Sequence, residues 1–360
     1  MPEEHTRGEV LTLTDLRTRT SEIKDRLMAG ETFYLRHYTT IFATITPLVT
    51  PAAPPKESRM TQPQTPRPVT AVFYNQAGGS CKTSLVRDVA YDAVQRGLRV
   101  LAIDADPQGS LTRWLGGYEI KNDRGQALGM RPDRTVYDVI TGRVDELPEP
   151  LTLHGIDLIP GNTTVEGAAV LLAMRGNEHM IRLRQAIDGL SDRYDLVLID
   201  TPPADNHLVT TCMVAADVVF TPVSASKGLD RVDTIMQAMR SARAYNQELR
   251  FGGFIPAAMH LRRDSQSDEY KAGHYQEVLD MLRTTYSTVG PTFEVIKARP
   301  ALFNDAAAAM MPVAVFKPRH EVVMEIQAVA DQIYAALGFV PAEPEAAQME
   351  SASAPQAVAQ

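Results

Sequence analysis

Lys82, Thr83 and the aspartates Asp104, Asp106 and Asp200 are the residues of this chain best suited to chemistry on a polyphosphate. The lysine follows a short loop, Gly78-Gly79-Ser80-Cys81, and opens a helical pattern with Thr83 and Ser84. Glycines let backbone N–H groups approach phosphate oxygens closely, and a helix N-terminus adds partial positive charge. Lys82 can then reach the β- and γ-phosphates while the Thr83 hydroxyl holds Mg²⁺. Gly78, Gly79, Ser80, Cys81, Lys82, Thr83 and Ser84 are therefore the nucleotide-binding candidates. Asp200 closes the apolar run Leu196–Ile199, where a charge at the end of a buried strand is costly unless it serves a purpose.

Positioning these groups requires strands that end together. Apolar runs predict strands at Val69–Tyr74, Val100–Asp104, Ile156–Pro160, Leu196–Asp200, Val218–Val223, Phe251–Ala257 and Phe293–Ile296, with helical patterns between them. Such alternation implies an α/β fold with a mostly parallel sheet covered by helices on both faces. The loop and the acidic residues then meet at the carboxyl ends of the strands. Glu119–Pro150 reads only as an insertion of loop and helix.

The 360 residues allow two domains, and 44% hydrophobic content suits a globular chain. No apolar run approaches 18 residues and no signal peptide is evident, so a cytoplasmic protein without a membrane segment is expected. Two cysteines, Cys81 and Cys212, are too few for a disulfide framework. The net charge of −8 opposes a uniformly basic surface, yet Ser226 to His320 holds 13 Lys/Arg against 10 Asp/Glu. A local basic patch is compatible with that balance. Seven prolines between Pro47 and Pro68 predict an extended linker over 47–68, and the Ala/Glu/Pro/Gln-rich stretch 339–360 an acidic disordered tail.

The loop departs from the generic G-x-x-x-x-G-K-[ST] pattern at both glycines, where Gln76 and Cys81 stand. It resembles instead the deviant phosphate loop of the ParA/MinD family of partition and positioning ATPases, KGG-x-GK-T. The run DADPQGSLT (Asp104 to Thr112), YDLVLIDTPP (Tyr194 to Pro203) and VVFTPVSAS (Val218 to Ser226) resemble further family motifs in order. The resemblance covers Val69 to about Leu337. It implies a P-loop NTPase-like ATPase domain over 69–338, binding ATP and Mg²⁺. Asp106 would orient the attacking water, Asp104 would support the Mg²⁺ shell and Asp200 would hold Mg²⁺ through water. The family's signature lysine falls on Ala77, and Lys227, in the loop after Val218–Val223, is the expected substitute. At position 81 a family glycine is replaced by cysteine, which is strained if its φ is positive. A MinD-like end would carry a basic amphipathic membrane helix, whereas this end is acidic and broken by proline.

Residues 1–46 read as a separate β-α-β-β module: a strand at Val10–Leu13, a helix from Thr14 or Asp15 to Gly30, and a hairpin of Thr32–Arg36 and Thr40–Thr46. With Arg17 early in the helix, the turn Asp25-Arg26-Leu27-Met28-Ala29-Gly30-Glu31 and Arg36 in the hairpin, it resembles the Phd/YefM antitoxin fold. Thr20 departs from that pattern, which favours a large apolar residue. The resemblance implies a dimerising module that binds operator DNA. A domain of that size buries little surface alone.

Family resemblance also implies an ATP-dependent homodimer that binds duplex DNA nonspecifically, is nucleoid-associated and is stimulated by a ParB-like centromere-binding protein. The candidate DNA contacts are Arg262, Arg263, Lys297, Arg299, Lys317 and Arg319; the family's arginine in this region falls on Ala301. Two other functions fit parts of the pattern. A positioning ATPase for a protein cargo fits Ala77, and an ATP-sensing transcriptional repressor with little hydrolysis fits the deviant loop.

Overall fold

The computed structural model describes residues 9–12, 19, 22–23, 26, 33–37, 40–45, 60–61, 67–175, 179–224, 232–259 and 266–341. The chain divides into two compact units, Met1–Ala53 and Pro54–Gln360.

In the first unit, β1 (Glu9–Thr12) pairs in parallel with β2 (Phe33–His37), which pairs antiparallel with β3 (Thr40–Ile45). A parallel pair demands a crossover. Within that crossover Glu22 and Ile23 are helical, and Leu11 and Ile23 are buried. The expected strand and hairpin are present, displaced by one residue or so.

The second unit opens with the two-residue β4 (Met60–Thr61) and is built on an eight-stranded sheet. The strands of that sheet are β5 (Val69–Phe73), β6 (Val100–Asp104), β7 (Leu151–Leu153), β8 (Ile156–Ile159), β9 (Leu196–Asp200), β10 (Val218–Val223), β11 (Arg250–Met259) and β12 (Ile296–Lys297). They lie in the order β12-β11-β10-β5-β9-β6-β8-β7, and all neighbours are parallel except β7 and β8. The central strands are buried on both faces, which explains their unbroken apolar runs.

Alternation along each strand feeds two cores. Val69, Ala71 and Phe73 join Leu196 and Leu198 on one side; Val72, Val197 and Ile199 face the other. The first side is covered by α1 (Lys82–Gln95), α2 (Ser110–Leu115) and three helices near the C-terminus, described below. The second is covered by α3 (Tyr137–Ile140), α4 (Glu166–Arg175), α5 (Arg182–Asp188), α6 (His207–Ala215) and α7 (Val232–Arg243). A third cluster, with Phe254 and Met259, packs under α8 (Gln266–Arg283). The remaining helices are α9 (Pro300–Ala308), α10 (Val313–Phe316) and α11 (Glu321–Leu337).

Three expectations need correction. The strand foreseen at Phe293–Ile296 is only the two-residue β12 and an isolated bridge between Thr292 and Phe254, because Phe293 and Ile296, three apart, are both core-facing and break the alternation of a continuous strand. β7 was not foreseen: it is a three-residue edge strand joined to β8 through His154 and Gly155, at φ 53° and 80°. Two successive positive φ values suit a tight hairpin turn. Residues 339–341, foreseen as the start of the tail, are part of the fold, and 342–360 lie outside the described residues. Gly338 turns the chain at φ 87°, Phe339 is buried edge-on to Tyr334, and β13 (Val340–Pro341) pairs antiparallel with β4. The linker foreseen over 47–68 is thus pinned at Met60, whose N–H also donates to the Arg96 carbonyl at the end of α1.

Candidate functional site

Between β5 and α1 the chain makes a tight loop at the carboxyl edge of the sheet. Asn75, fully buried, organises its start: its amide donates to the Pro222 carbonyl at 2.8 Å and its side-chain oxygen accepts from the Ala77 N–H at 2.8 Å. Gly79 adopts φ 74°, and Cys81, which caps α1, adopts φ 67° and ψ 15°. The strain anticipated for a cysteine at this position is therefore real, costing about 1–2 kcal/mol relative to glycine. Ideal Cβ atoms on Gly78 or Gly79 would meet nothing within 4 Å, so the space beside the loop is open.

Lys82 is buried, with its ammonium 3.0 Å from the Asn75 carbonyl and 3.4 Å from the Ser80 hydroxyl. Burial lowers its pKa, opposed by the charges of Asp200 and Asp106. Burial raises the Cys81 thiol to about 11 against the pull of Lys82, so it is protonated and unreactive at neutral pH.

The acidic groups have distinct surroundings. Asp200, at the end of β9, is fully buried, and neither carboxylate oxygen has a hydrogen-bond partner among the described residues. Burial raises its pKa well above the usual range, Asp104 and Asp106 add to the rise, and Thr83 and Lys82 oppose it. Asp104, at the end of β6, is also fully buried but well bonded. It accepts from the Thr112 N–H and hydroxyl at 2.8 and 2.7 Å and from the Asp106 N–H at 3.2 Å. Desolvation still pushes it up to about 6. Asp106, nearly buried, accepts from the Gln108 N–H at 2.9 Å.

These bonds tie Asp104 to the loop that carries Asp106, so it braces that loop. Thr112 extends the brace by accepting from the Gly161 N–H at 2.8 Å. A side chain at Gly161 would collide with Asp104 at 2.6 Å. Asn75, Thr112 and Gly161 were not singled out from the sequence, although Thr112 closes the DADPQGSLT run that was. Asp200 with Thr83 fits a hard cation, because two unpartnered buried oxygens sit near a hydroxyl. No group of three or more His, Cys, Asp or Glu among the described residues could hold a metal unaided, so a cation there needs phosphate or water oxygens too.

Beside the loop lies a cavity of about 210 Å³, lined by Cys81, Ser84, Leu85, Ala257, Ala298 and Arg299 among others. The expected DNA contacts divide three ways. Lys317 and Arg319 are exposed. Lys297 and Arg299 are held by α11: Arg299 bonds Glu325 at 2.8 and 3.0 Å and Glu321 at 2.5 Å, and Lys297 pairs with Glu325 at 3.3 Å. As folded, their charges are neutralised within the chain, so the open cationic surface is smaller than the sequence suggested. Arg262, Arg263 and Lys227 lie outside the described residues.

A family model described as an AAA domain matches residues 69–251, from the first strand of the sheet to β11. The chromosome partitioning protein ParA of Caulobacter vibrioides is 32% identical over 204 residues, covering 54% of this chain and 71% of that protein. The chain belongs to the ParA family of partition ATPases. A probable plasmid-partitioning ParA of Thermus thermophilus is 35% identical over 173 residues, 48% of this chain and 50% of that relative. The fold is shared with apo McdA of Cyanthece, at TM-score 0.58 and 21% identity over 74% of this chain and 99% of that one. It is also shared with cobyrinic acid a,c-diamide synthase of Mycobacterium smegmatis, solved with an ATP analog and magnesium, at TM-score 0.53 and 24% identity over 68% and 91%. The family model begins at the strand before the loop, so the unit Met1–Ala53 lies outside the region it matches. Among the described residues no helix is long and apolar enough to cross a membrane.

Proposed function

We propose that this chain is an Mg²⁺-dependent ATP hydrolase that partitions DNA, alternating between a nucleotide-free form and an ATP-bound homodimer on duplex DNA. The observation that carries the reading is Asp200: a fully buried carboxylate with no ion pair or close hydrogen bond among the described residues, near enough to Thr83, Lys82 and Asp106 for all three to act on it. A buried carboxylate of this kind is costly unless water or a ligand completes it, and such groups cluster at functional sites. Bound Mg²⁺ would neutralise charge on the phosphates, with Thr83 and Asp200 holding it.

The residues of the chain supply the rest. Gly78 to Cys81 present N–H groups to phosphate, and Lys82 leaves the Asn75 carbonyl to meet the transferring group. Asp106, fixed through Asp104 and Thr112, orients the attacking water. The cavity beside Ser84 and Ala257 has the size and apolar lining for the nucleobase. Lys227 supplies the cation that Ala77 lacks. Lys317 and Arg319, with Arg262 and Arg263, contact phosphates of DNA without reading sequence. Residues 1–46 add a Phd/YefM-like dimerisation and operator-binding module, and a ParB-like protein accelerates hydrolysis.

The test is steady-state hydrolysis of ATP with and without duplex DNA and Mg²⁺, beside Asp106→Ala. DNA-stimulated, Mg²⁺-dependent turnover lost in that variant supports the proposal. Tight ATP binding without turnover, with DNA and a cognate ParB-like protein present, refutes it in favour of a sensing repressor. Ala77 favours one other reading, a positioning ATPase for a protein cargo; turnover stimulated by a cargo adaptor and indifferent to DNA would select it.

A further inference from the structure

The end of β10 is stitched to the nucleotide loop at three successive points. Tyr74 N–H donates to the Phe220 carbonyl at 2.9 Å, the Asn75 amide donates to the Pro222 carbonyl at 2.8 Å, and the Ser224 hydroxyl donates to the Gly79 carbonyl at 3.0 Å. The first two secure the strand end. The third holds one particular peptide, Gly79–Ser80, inside the stretch whose N–H groups must face an anion.

A trans peptide is planar, so its carbonyl and its N–H point in opposite directions. Fixing the Gly79 oxygen therefore fixes the Ser80 N–H. That peptide is unusually free to turn over: Gly79 sits at φ 74°, yet glycine populates negative φ about as readily. Cys81 steadies it only weakly, its thiol lying 4.0 Å from the same Gly79 carbonyl, the outer limit for a sulfur donor. Cys81 occupies a left-handed conformation that a cysteine adopts at a cost, where the family pattern has glycine. Nor can Lys82 hold it, since its ammonium bonds the Asn75 carbonyl and the Ser80 hydroxyl, neither of which belongs to the Gly79–Ser80 peptide plane.

We propose that Ser224 is a positioning residue for nucleotide binding: by holding the Gly79 carbonyl, its hydroxyl aims the Ser80 N–H at the phosphate chain. This rests on the ATP reading above and adds to it a residue that touches no substrate. It also connects the end of β10 directly to the loop that carries the phosphates.

The experiment measures the affinity of the full chain for a fluorescent ATP analogue, with kcat and KM for ATP, in wild type, Ser224→Ala and Ser224→Thr. Removing one hydrogen bond should weaken binding about three- to tenfold. The alanine variant should show that loss in Kd and KM with kcat at saturating ATP retained, and threonine, which keeps the hydroxyl, should restore it. Wild-type affinity in Ser224→Ala overturns the proposal. So does equal weakening in both variants accompanied by a lowered melting temperature, which would make Ser224 a plain structural stitch. A wild-type chain that binds no ATP overturns the nucleotide reading itself and this inference with it, whereas a wild-type chain that binds ATP isolates the question to Ser224.

Discussion

Replacing Asp200 with asparagine should make the nucleotide-free protein more stable while removing its response to Mg²⁺ and ATP. The side chain is fully buried with both oxygens unpartnered, and its charge is opposed first by desolvation and next by Asp104. Leaving a buried polar group unsatisfied costs about 1–3 kcal/mol, and more when it is charged. Where the carboxyl is ionised, the amide keeps the shape and removes the charge but stays an unpartnered polar group, so the gain is only the excess cost of the charge, about 1 kcal/mol after the weaker attraction to Lys82 is offset. At roughly 2–4 °C per kcal/mol, the melting temperature rises by about 2–4 °C. Ligand linkage gives the opposite signature. At a hundredfold excess of ligand over Kd, wild type gains about 2.7 kcal/mol, and the variant should gain almost none in Mg²⁺ and ATP. Thermal unfolding of both proteins, with and without Mg²⁺ and ATP, reads both effects. A variant less stable than wild type without ligand, or one that keeps the full ligand-induced shift, would refute the reasoning.

Other outcomes follow from the same structure. Asp104 is pushed up to about 6 from 3.8 and Asp200 is raised as well, so the folded apo protein retains protons that the unfolded chain has lost. Stability supplied by protonated Asp104 is therefore present below its unfolded value and is lost as pH rises through about 6. Cation binding at Asp200 must expel its proton, so affinity for Mg²⁺-ATP should climb with pH, and calorimetry in buffers of different ionisation enthalpy should register proton release that Asp200→Asn diminishes. Lys317 and Arg319, exposed where Arg299 is tied down, should each carry a DNA phosphate contact; replacing both with alanine should reduce the slope of log affinity against log salt by about 2 in a titration with ATP present. Phe339→Ala should lower stability by about 3–5 kcal/mol in denaturant unfolding, because the ring is buried against Tyr334. A freely solvated tail would show no such loss.

The parallel sheet was legible because its central strands are buried on both faces and so read as plain apolar runs closed by Asp104 and Asp200. The nucleotide loop was legible because glycine, lysine and threonine carry their chemistry at fixed spacing. The divergent parts of the site were less so. Nothing in the residue type of Asp104 says whether its oxygens serve a cation or a neighbouring loop; that depends on Thr112 and Asp106 folding over it. Arg299 and Lys297 read as available charge because their partners, Glu321 and Glu325, lie more than 20 residues away on α11. Asn75 and Ser224 act through one hydrogen bond or two across the sheet, a contact with no local signature. β7 escaped notice because three residues hold too little alternation to count, and the boundary at Phe339 because one aromatic side chain decides it.

The segment 119–150 interrupts the sheet without adding a strand to its parallel core, yet it is not a detachable ornament. Asn162, next to the Gly161 that packs on Asp104, donates to the carbonyls of Gly129 and Arg131. Tyr118, just before the segment, reaches the Gly161 carbonyl. The segment is therefore hung from Gly161, which also bonds Thr112, and from its neighbour Asn162. Chimeras that trade this stretch between relatives will inherit or lose the alignment of Asp106 along with it. Length changes at the exposed turn Asn122–Gln126, between these attachments, should be absorbed far more readily than changes at Tyr118, Gly129 or Arg131 themselves.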